Sequence, residues 1–522
     1  MSRGHRGRRG LRATAFAAAL AVGVAVPGVA LAAPGNGKGS PPNGRYEAGD
    51  PGVGDPYFPL YGNGGYNVRH YLLDAKYNPS TDHLSGTATL HATATNDLYR
   101  FDLDLVGLTV HSIVINGKRA RWQRTHHELI VTPQRKLKDG EPFVAVIRYE
   151  GVPKSYEIPS LGIPSGFLRS DDGAVVAGEP EVAARWYPVN DHPQDKATYT
   201  FNVTVPKGLT VVSNGRLLTH YTRAGWTTWR WVATEPLASY LATATIGKFD
   251  TTSYTTDDGI PVFDAVDPDL HGIAKNALAK EPEVIDFLES RFGAYPFHAL
   301  GGVVDDYPEL YFALENQTRP IYSKYFFEPG NHPEEVYVIV HELAHQWYGD
   351  SVSVHTWKNI WLNEGFAAYA EWLWSGHTHE ESPQQVFDFL YVDHPADDDF
   401  WDNKTANPGV ENLFDNDSTY TRGAMALQAL RMTVGDKAFF QILRQWQDQY
   451  AGSTGSTRQF TALAEKVSGQ RLDGLFQQWL YEEGKPPYPI PGAAPTARAA
   501  PGGHVPQVIR SLRHRVDTGL RF

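Results

Sequence analysis

The chain contains no cysteine. Without thiols there is no disulfide framework, so core packing must hold the fold, and a metal site can use only His, Asp or Glu. Positive charge is also short: 47 Lys and Arg face 59 Asp and Glu, a formal net charge of −12 that argues against nucleic acid as a partner. Long apolar runs are missing too. The best candidate, Ala13 to Val26, is too short to span a bilayer, so no stable membrane insertion is expected. That run follows Arg3, Arg6, Arg8, Arg9 and Arg12 and precedes Ala30-Leu31-Ala32, an A-x-A cleavage site. Residues 1–32 therefore read as an export signal, by the Sec or the twin-arginine route, and the mature protein as secreted.

Aromatic residues, by contrast, are plentiful: 13 Trp and 27 Tyr favour β-rich domains and aromatic-lined clefts. A length of 522 residues suggests two to four domains. Residues 33–56, rich in Pro, Gly and Asn, read as a flexible linker. From 57 to 253 the apolar period is two. Ala88, Leu90, Ala92 and Ala94 alternate with Thr and His, and Phe101, Leu103 and Leu105 alternate with Asp102 and Asp104. Asn116-Gly117 and Asn214-Gly215 follow β-branched runs as hairpin turns do. These signs predict an N-terminal antiparallel β domain, a sandwich or saddle. From 254 to 490 the spacing turns helical, in segments beginning near Glu334, Asn363, Gly423 and Thr457 among others. A multidomain β + α fold is expected. Residues 491–522, rich in Ala, Pro, Gly and Arg, offer no core and read as a disordered tail.

Within the helical half lies Val338-Ile339-Val340-His341-Glu342-Leu343-Ala344-His345, an H-E-x-x-H motif in an apolar run. On a helix, residues four apart share a face, so His341 and His345 can present two imidazoles to one metal ion. Glu342, one position round, is placed to act as a base on water rather than as a ligand. The candidate third ligand is Glu364, 19 positions after His345, in Trp361-Leu362-Asn363-Glu364-Gly365-Phe366-Ala367. A helix-start acid favoured by the dipole is the other reading of Glu364.

H-E-x-x-H followed by Glu within W-L-N-E-G-F-A resembles the gluzincin metallopeptidases of the M1 aminopeptidase family. Further blocks agree, in family order. Ala184-Arg185-Trp186-Tyr187-Pro188 with Asp191-His192-Pro193 resembles the block that closes the family's N-terminal domain. Phe312-Ala313-Leu314-Glu315-Asn316 resembles its G-A-M-E-N strand, and Tyr420-Thr421-Arg422-Gly423-Ala424 its Y-x-K-G-A block. The likeness runs from about Tyr57 to Pro489.

The resemblance implies a saddle-like β domain followed by a thermolysin-like catalytic domain, in a short form without the family's large C-terminal helical domain. It implies one zinc ion per chain, held by His341, His345 and Glu364, with Glu342 as general base and Tyr420 as hydrogen-bond donor to the oxyanion. Ala313, Glu315 and Glu179 would contact the substrate, the two glutamates holding a free α-ammonium. The expected function is a secreted zinc aminopeptidase acting on peptides with a free N-terminus. Phe312 stands where the motif has Gly, Leu314 where Met is common, and Arg422 where Lys is usual. The Phe312 change leaves an endopeptidase or an epoxide-hydrolysing relative open, and a non-catalytic binding module is the reading from another class. His377 and His379 lack a matching context and are expected to be solvated.

Overall fold

The computed structural model of the chain describes residues 46–158, 162–270, 272–328, 334–495 and 504–521. The expected export signal and most of the linker lie outside these residues. Residues from Tyr46 onward form one compact unit.

The β half is built on an eight-stranded sheet whose central strand, Tyr66–Asn78, pairs antiparallel with His83–Ala94 and parallel with Ala197–Pro206. The alternation read from the sequence is real here: Ala88, Leu90, Ala92 and Ala94 are all buried. In the central strand the inward set runs Tyr66, Val68, then Tyr71, Leu73, Ala75, Tyr77. The change of parity coincides with a bulge between Val68 and His70, which inserts one residue and turns the strand by one face. A five-stranded and a four-stranded sheet complete this half.

Two local expectations fail. Asn116-Gly117 turns with φ of 49° and 75° between the paired strands Thr109–Ile115 and Lys118–Arg119, as a hairpin should. Asn214-Gly215 does not make a hairpin. It carries the chain from strand Thr210–Ser213 of the five-stranded sheet to strand Arg216–Arg223 of the eight-stranded one. Alternation also puts Asp102 and Asp104 on the outward face of their strand, yet both are buried. Asp104 is drawn in because Oδ2 accepts from Asn63 Nδ2 at 2.9 Å and from the Asp191 amide at 2.7 Å.

The second half opens with a four-stranded sheet of Asp250–Thr255, Pro261–Val266, Val303–Asp305 and Ile321–Ser323. Helices follow, of which Glu334–Ala344, Trp361–His377 and Arg422–Val434 frame the site. The run Val338-Ile339-Val340-His341-Glu342-Leu343-Ala344 is buried throughout, so the first of these is a core helix. The other two touch where Gly365 faces Gly423. A Cβ on Gly365 would lie 2.9 Å from the Gly423 Cα, so neither position can carry a side chain without separating the helices. That close approach brings the Glu364 turn beside the Tyr420 turn.

The block Asp191 to Lys196 joins the halves. Gln194 Nε2 donates to the His355 carbonyl at 2.7 Å, and Lys196 Nζ donates to the Asp350 and Ser351 carbonyls at 2.6 and 3.0 Å. Burial pulls the Lys196 ammonium down to about 7. Over residues 504–521 the structure departs from the expected disordered tail. Gln507–Thr518 is a helix whose Val508 and Ile509 are buried, because the hydrophobic spacing hidden among its arginines gives it an apolar face.

Candidate active site

His341 lies in the last turn of helix Glu334–Ala344 and His345 in the turn just after it, its amide donating to the His341 carbonyl at 3.3 Å, so the four-residue spacing keeps them side by side. Their Nε2 atoms each lie 3.3 Å from Glu364 Oε2. The three ligand atoms fall within 4.8 Å of one another, and among the described residues this is the one such trio in which every member is buried. Each imidazole is oriented from behind. His341 Nδ1 is 2.8 Å from Glu371 Oε1, and His345 Nδ1 is 3.0 Å from the Tyr348 carbonyl. Both partners accept, so each Nδ1–H donates to its partner and each Nε2 faces the common point. Burial opposes ionisation of Glu364, but His345 and the hydrogen bonds from His341 and His345 bring its carboxyl down to about 2. Two imidazole nitrogens and one carboxylate oxygen are a donor set suited to zinc.

Glu342 is buried, and its Oε1 finds no hydrogen-bond partner among the described residues. Burial, with the charges of Glu315 and Glu364, holds its carboxyl well above the usual range despite the opposing pull of His345. Tyr420 stacks on His341, with ring centroids 6.0 Å apart. It sits in a π-helical turn, Asn416–Thr421, whose start is capped by Asp415 accepting from the Ser418 amide at 2.9 Å. Burial first, then Glu364, Glu179, Glu315 and Glu342, push the Tyr420 phenol well above its ordinary value, so it stays a hydroxyl donor.

Glu179 and Glu315 both reach this centre from other elements. Burial and then the charges of Glu315 and Glu364 raise the Glu179 carboxyl well above the usual range, and its Oε1 has no partner among the described residues. Glu315 Oε1 accepts from the Tyr240 hydroxyl at 2.9 Å. Ala313, two residues before it, is fully buried. Two carboxylates that repel one another across a buried space mark a place for a cation.

The loop carrying Glu315 is clamped from two sides. Gln346, the residue after His345, donates through Nε2 to the Glu315 carbonyl at 3.1 Å and accepts through Oε1 from the Thr318 amide at 2.8 Å. From the β half, Asn214 Nδ2 donates to the Gln317 carbonyl at 2.9 Å. Arg319 then places Nη2 on the Gly215 carbonyl at 2.9 Å and Nη1 on the Leu300 carbonyl at 2.9 Å. Hydrogen bonds thus tie the turn after the H-E-x-x-H helix, the Glu315 loop and the β half to one another.

Of the site residues expected from the sequence, His341, His345, Glu364, Glu342, Tyr420, Glu179 and Glu315 come together in this region, and Ala313 is buried two residues before Glu315. Arg422 does not join them. Its guanidinium donates to the carbonyls of Asn403 and Glu482 at 2.8 and 2.6 Å and so anchors the base of the Tyr420 turn. His377 and His379 are exposed. Glu371, Gln346 and Tyr240 serve the site outside the motifs, as does Asn214, whose sequence context suggested only a hairpin turn. Glu371 lies seven residues after Glu364, two helical turns along the same face, and that spacing was a usable signal.

The comparisons with known proteins point the same way. Residues 67–241 match the family model for the peptidase M1 N-terminal domain and residues 276–479 the model for the peptidase family M1 domain. The M1 zinc metallopeptidase from Deinococcus radiodurans, in a mutant bound to a Tyr-Ser-Ala substrate, is 30% identical with a TM-score of 0.76; the match covers 84% of this chain and 100% of that one. The chain belongs to peptidase family M1. Aminopeptidase N of Haemonchus contortus is 28% identical over 56% of this chain and 32% of its own length. Probable aminopeptidase 2 of Sulfurisphaera tokodaii is 25% identical over 74% of this chain and 50% of its own length. The matches thus span 32% to 50% of the length of these curated relatives. Its two-part architecture, β half then helical half, is that of the M1 structures it matches.

Proposed function

We propose that this M1 peptidase is an exported zinc-dependent aminopeptidase that removes residues one at a time from the free N-termini of peptides. The observation that carries the reading is the pair Glu179 and Glu315, buried carboxylates whose charges bear on each other and on the ligand Glu364. A free α-ammonium between them would relieve the repulsion and form charge-assisted hydrogen bonds, whereas an acylated N-terminus would leave both carboxylates without a cation.

A zinc ion held by His341, His345 and Glu364 would supply Lewis-acid polarisation of the scissile carbonyl and of the attacking water. The chain's own groups do the rest. Glu342, whose Oε1 has no partner among the described residues, takes the proton from the attacking water and passes it to the departing amine. The Tyr420 hydroxyl donates to the oxyanion as the carbonyl becomes tetrahedral. Glu179 and Glu315 fix the ammonium, and so set which peptide bond is reached.

The Phe312 departure does not favour an endopeptidase. Phe312 and Leu314 are packed in the core, bridging to Arg521 and Ile321, and the ammonium-facing pair is intact. Export is supported by the sequence of residues 1–32. No helix among the described residues is long and apolar enough to cross a membrane. The test is a time course of one unprotected decapeptide with the zinc-loaded protein, read by mass. Successive loss of single N-terminal residues supports the assignment, and internal fragments would contradict it.

A further inference from the structure

The segment 504–521 lies beyond both family-model matches, which end at residues 241 and 479. It nevertheless reaches the back of the metal centre. Arg515 on helix Gln507–Thr518 is 3% exposed, and its Nη2 donates to Glu371 Oε2 at 3.0 Å. Glu371, 2% exposed, uses its other oxygen, Oε1, to accept from His341 Nδ1 at 2.8 Å. The line therefore runs from Arg515 through Glu371 to His341, whose Nε2 faces Glu364 at 3.3 Å.

A carboxylate this deeply buried needs a compensating cation, and a guanidinium on its far oxygen also fixes the plane in which the near oxygen faces the imidazole. Partners behind a ligating histidine set its orientation and basicity, with effects of about 10–100-fold on metal affinity. The same segment touches the substrate side. The Arg521 amide donates to the Tyr311 carbonyl at 2.9 Å, and the Ala313 amide donates to the Arg521 carbonyl at 3.1 Å. It is fastened independently at its start, where Glu381 accepts from His504 at 2.8 Å and from the Gln507 amide at 3.0 Å. Arg513 adds an exposed ion pair to Asp393.

We propose that Arg515 is a positioning residue of the metal centre. Through Glu371 it holds His341 in its ligating orientation, so the segment 504–521 is a working part of the site. This rests on reading His341, His345 and Glu364 as zinc ligands.

The experiment measures the zinc dissociation constant of the full chain by competition with a chromogenic chelator, which needs no turnover. R515M is expected to bind zinc about 10–100-fold more weakly than wild type. R515K, which keeps the charge without the fork, should fall between the two. R513A, which loosens the same helix away from Glu371, should bind as wild type does. The double variant R515M/E371Q should be no weaker than E371Q alone, because the arginine acts through that glutamate. Wild-type affinity in R515M and R515K would overturn the proposal, as would equal losses in R513A and R515M. A wild-type chain that binds no zinc would instead defeat the ligand assignment itself. Tight zinc without peptide hydrolysis would defeat only the aminopeptidase reading.

Discussion

At the scale of single residues, the account assigns distinct work to carboxylates that look alike in the sequence. Glu364 is pulled down to about 2 by its histidines, whereas Glu342, Glu179 and Glu315 are raised by burial and mutual repulsion. Groups pushed apart in this way have different roles. An E342Q variant should keep its zinc, measured by metal content, and lose activity by about 100-fold or more. Retained activity would remove Glu342 as the base. E315Q should weaken kcat/KM for free peptides by about 10–100-fold, the worth of one hydrogen bond to a charged group. It should also narrow the preference over N-acetylated peptides, and an unchanged preference would free Glu315 from the ammonium site.

At the scale of elements, most of the architecture was legible. The H-E-x-x-H helix, the Glu364 helix and the alternating strands announce themselves through apolar spacing, because burial of one face dictates which positions are apolar. What escaped depends on partners distant in sequence. Asn214-Gly215 has the letters of a hairpin, but its neighbours pair into different sheets. Helix Gln507–Thr518 is masked by its arginines, one of which turns inward to Glu371. Asp104 and Glu128 obey alternation in spacing but not in burial. They sit directly opposite on strands Leu98–Asp104 and Glu128–Thr132, with His127 Nε2 2.9 Å from Asp104 Oδ1.

That pairing gives a prediction about pH. Burial first, then Asp104, push the Glu128 carboxyl from 4.5 to about 8. A carboxyl raised on folding takes up a proton, so stability attributable to it falls as pH rises from the unfolded to the folded value. Replacing it with a neutral amide removes that loss. The melting temperature of E128Q relative to wild type should therefore be little changed below pH 4.5 and rise progressively toward pH 8. Parallel pH profiles for the two proteins would show that Glu128 is not raised in the folded state.

At the scale of the whole molecule, the site is a product of both halves. The helical half supplies the ligands, Glu342 and Tyr420, and the β half supplies Glu179 and the Asn214 clamp on the Glu315 loop. On the proposed reading, specificity for an N-terminus depends on how the halves meet, through Asn214, Arg319 and the Asp191 to Lys196 block. That junction could not be read from local patterns, although the identities of Glu179 and Glu315 could be carried over from matching motifs. The central claim is that one metal centre and one pair of carboxylates together restrict cleavage to free N-termini. The most direct test compares one peptide with its N-acetylated form, each with zinc-loaded and with chelator-stripped protein. The account predicts cleavage of the free peptide by the zinc-loaded protein and of neither peptide once the metal is removed. Equal cleavage of the free and acetylated peptides, or activity that survives stripping, would contradict it.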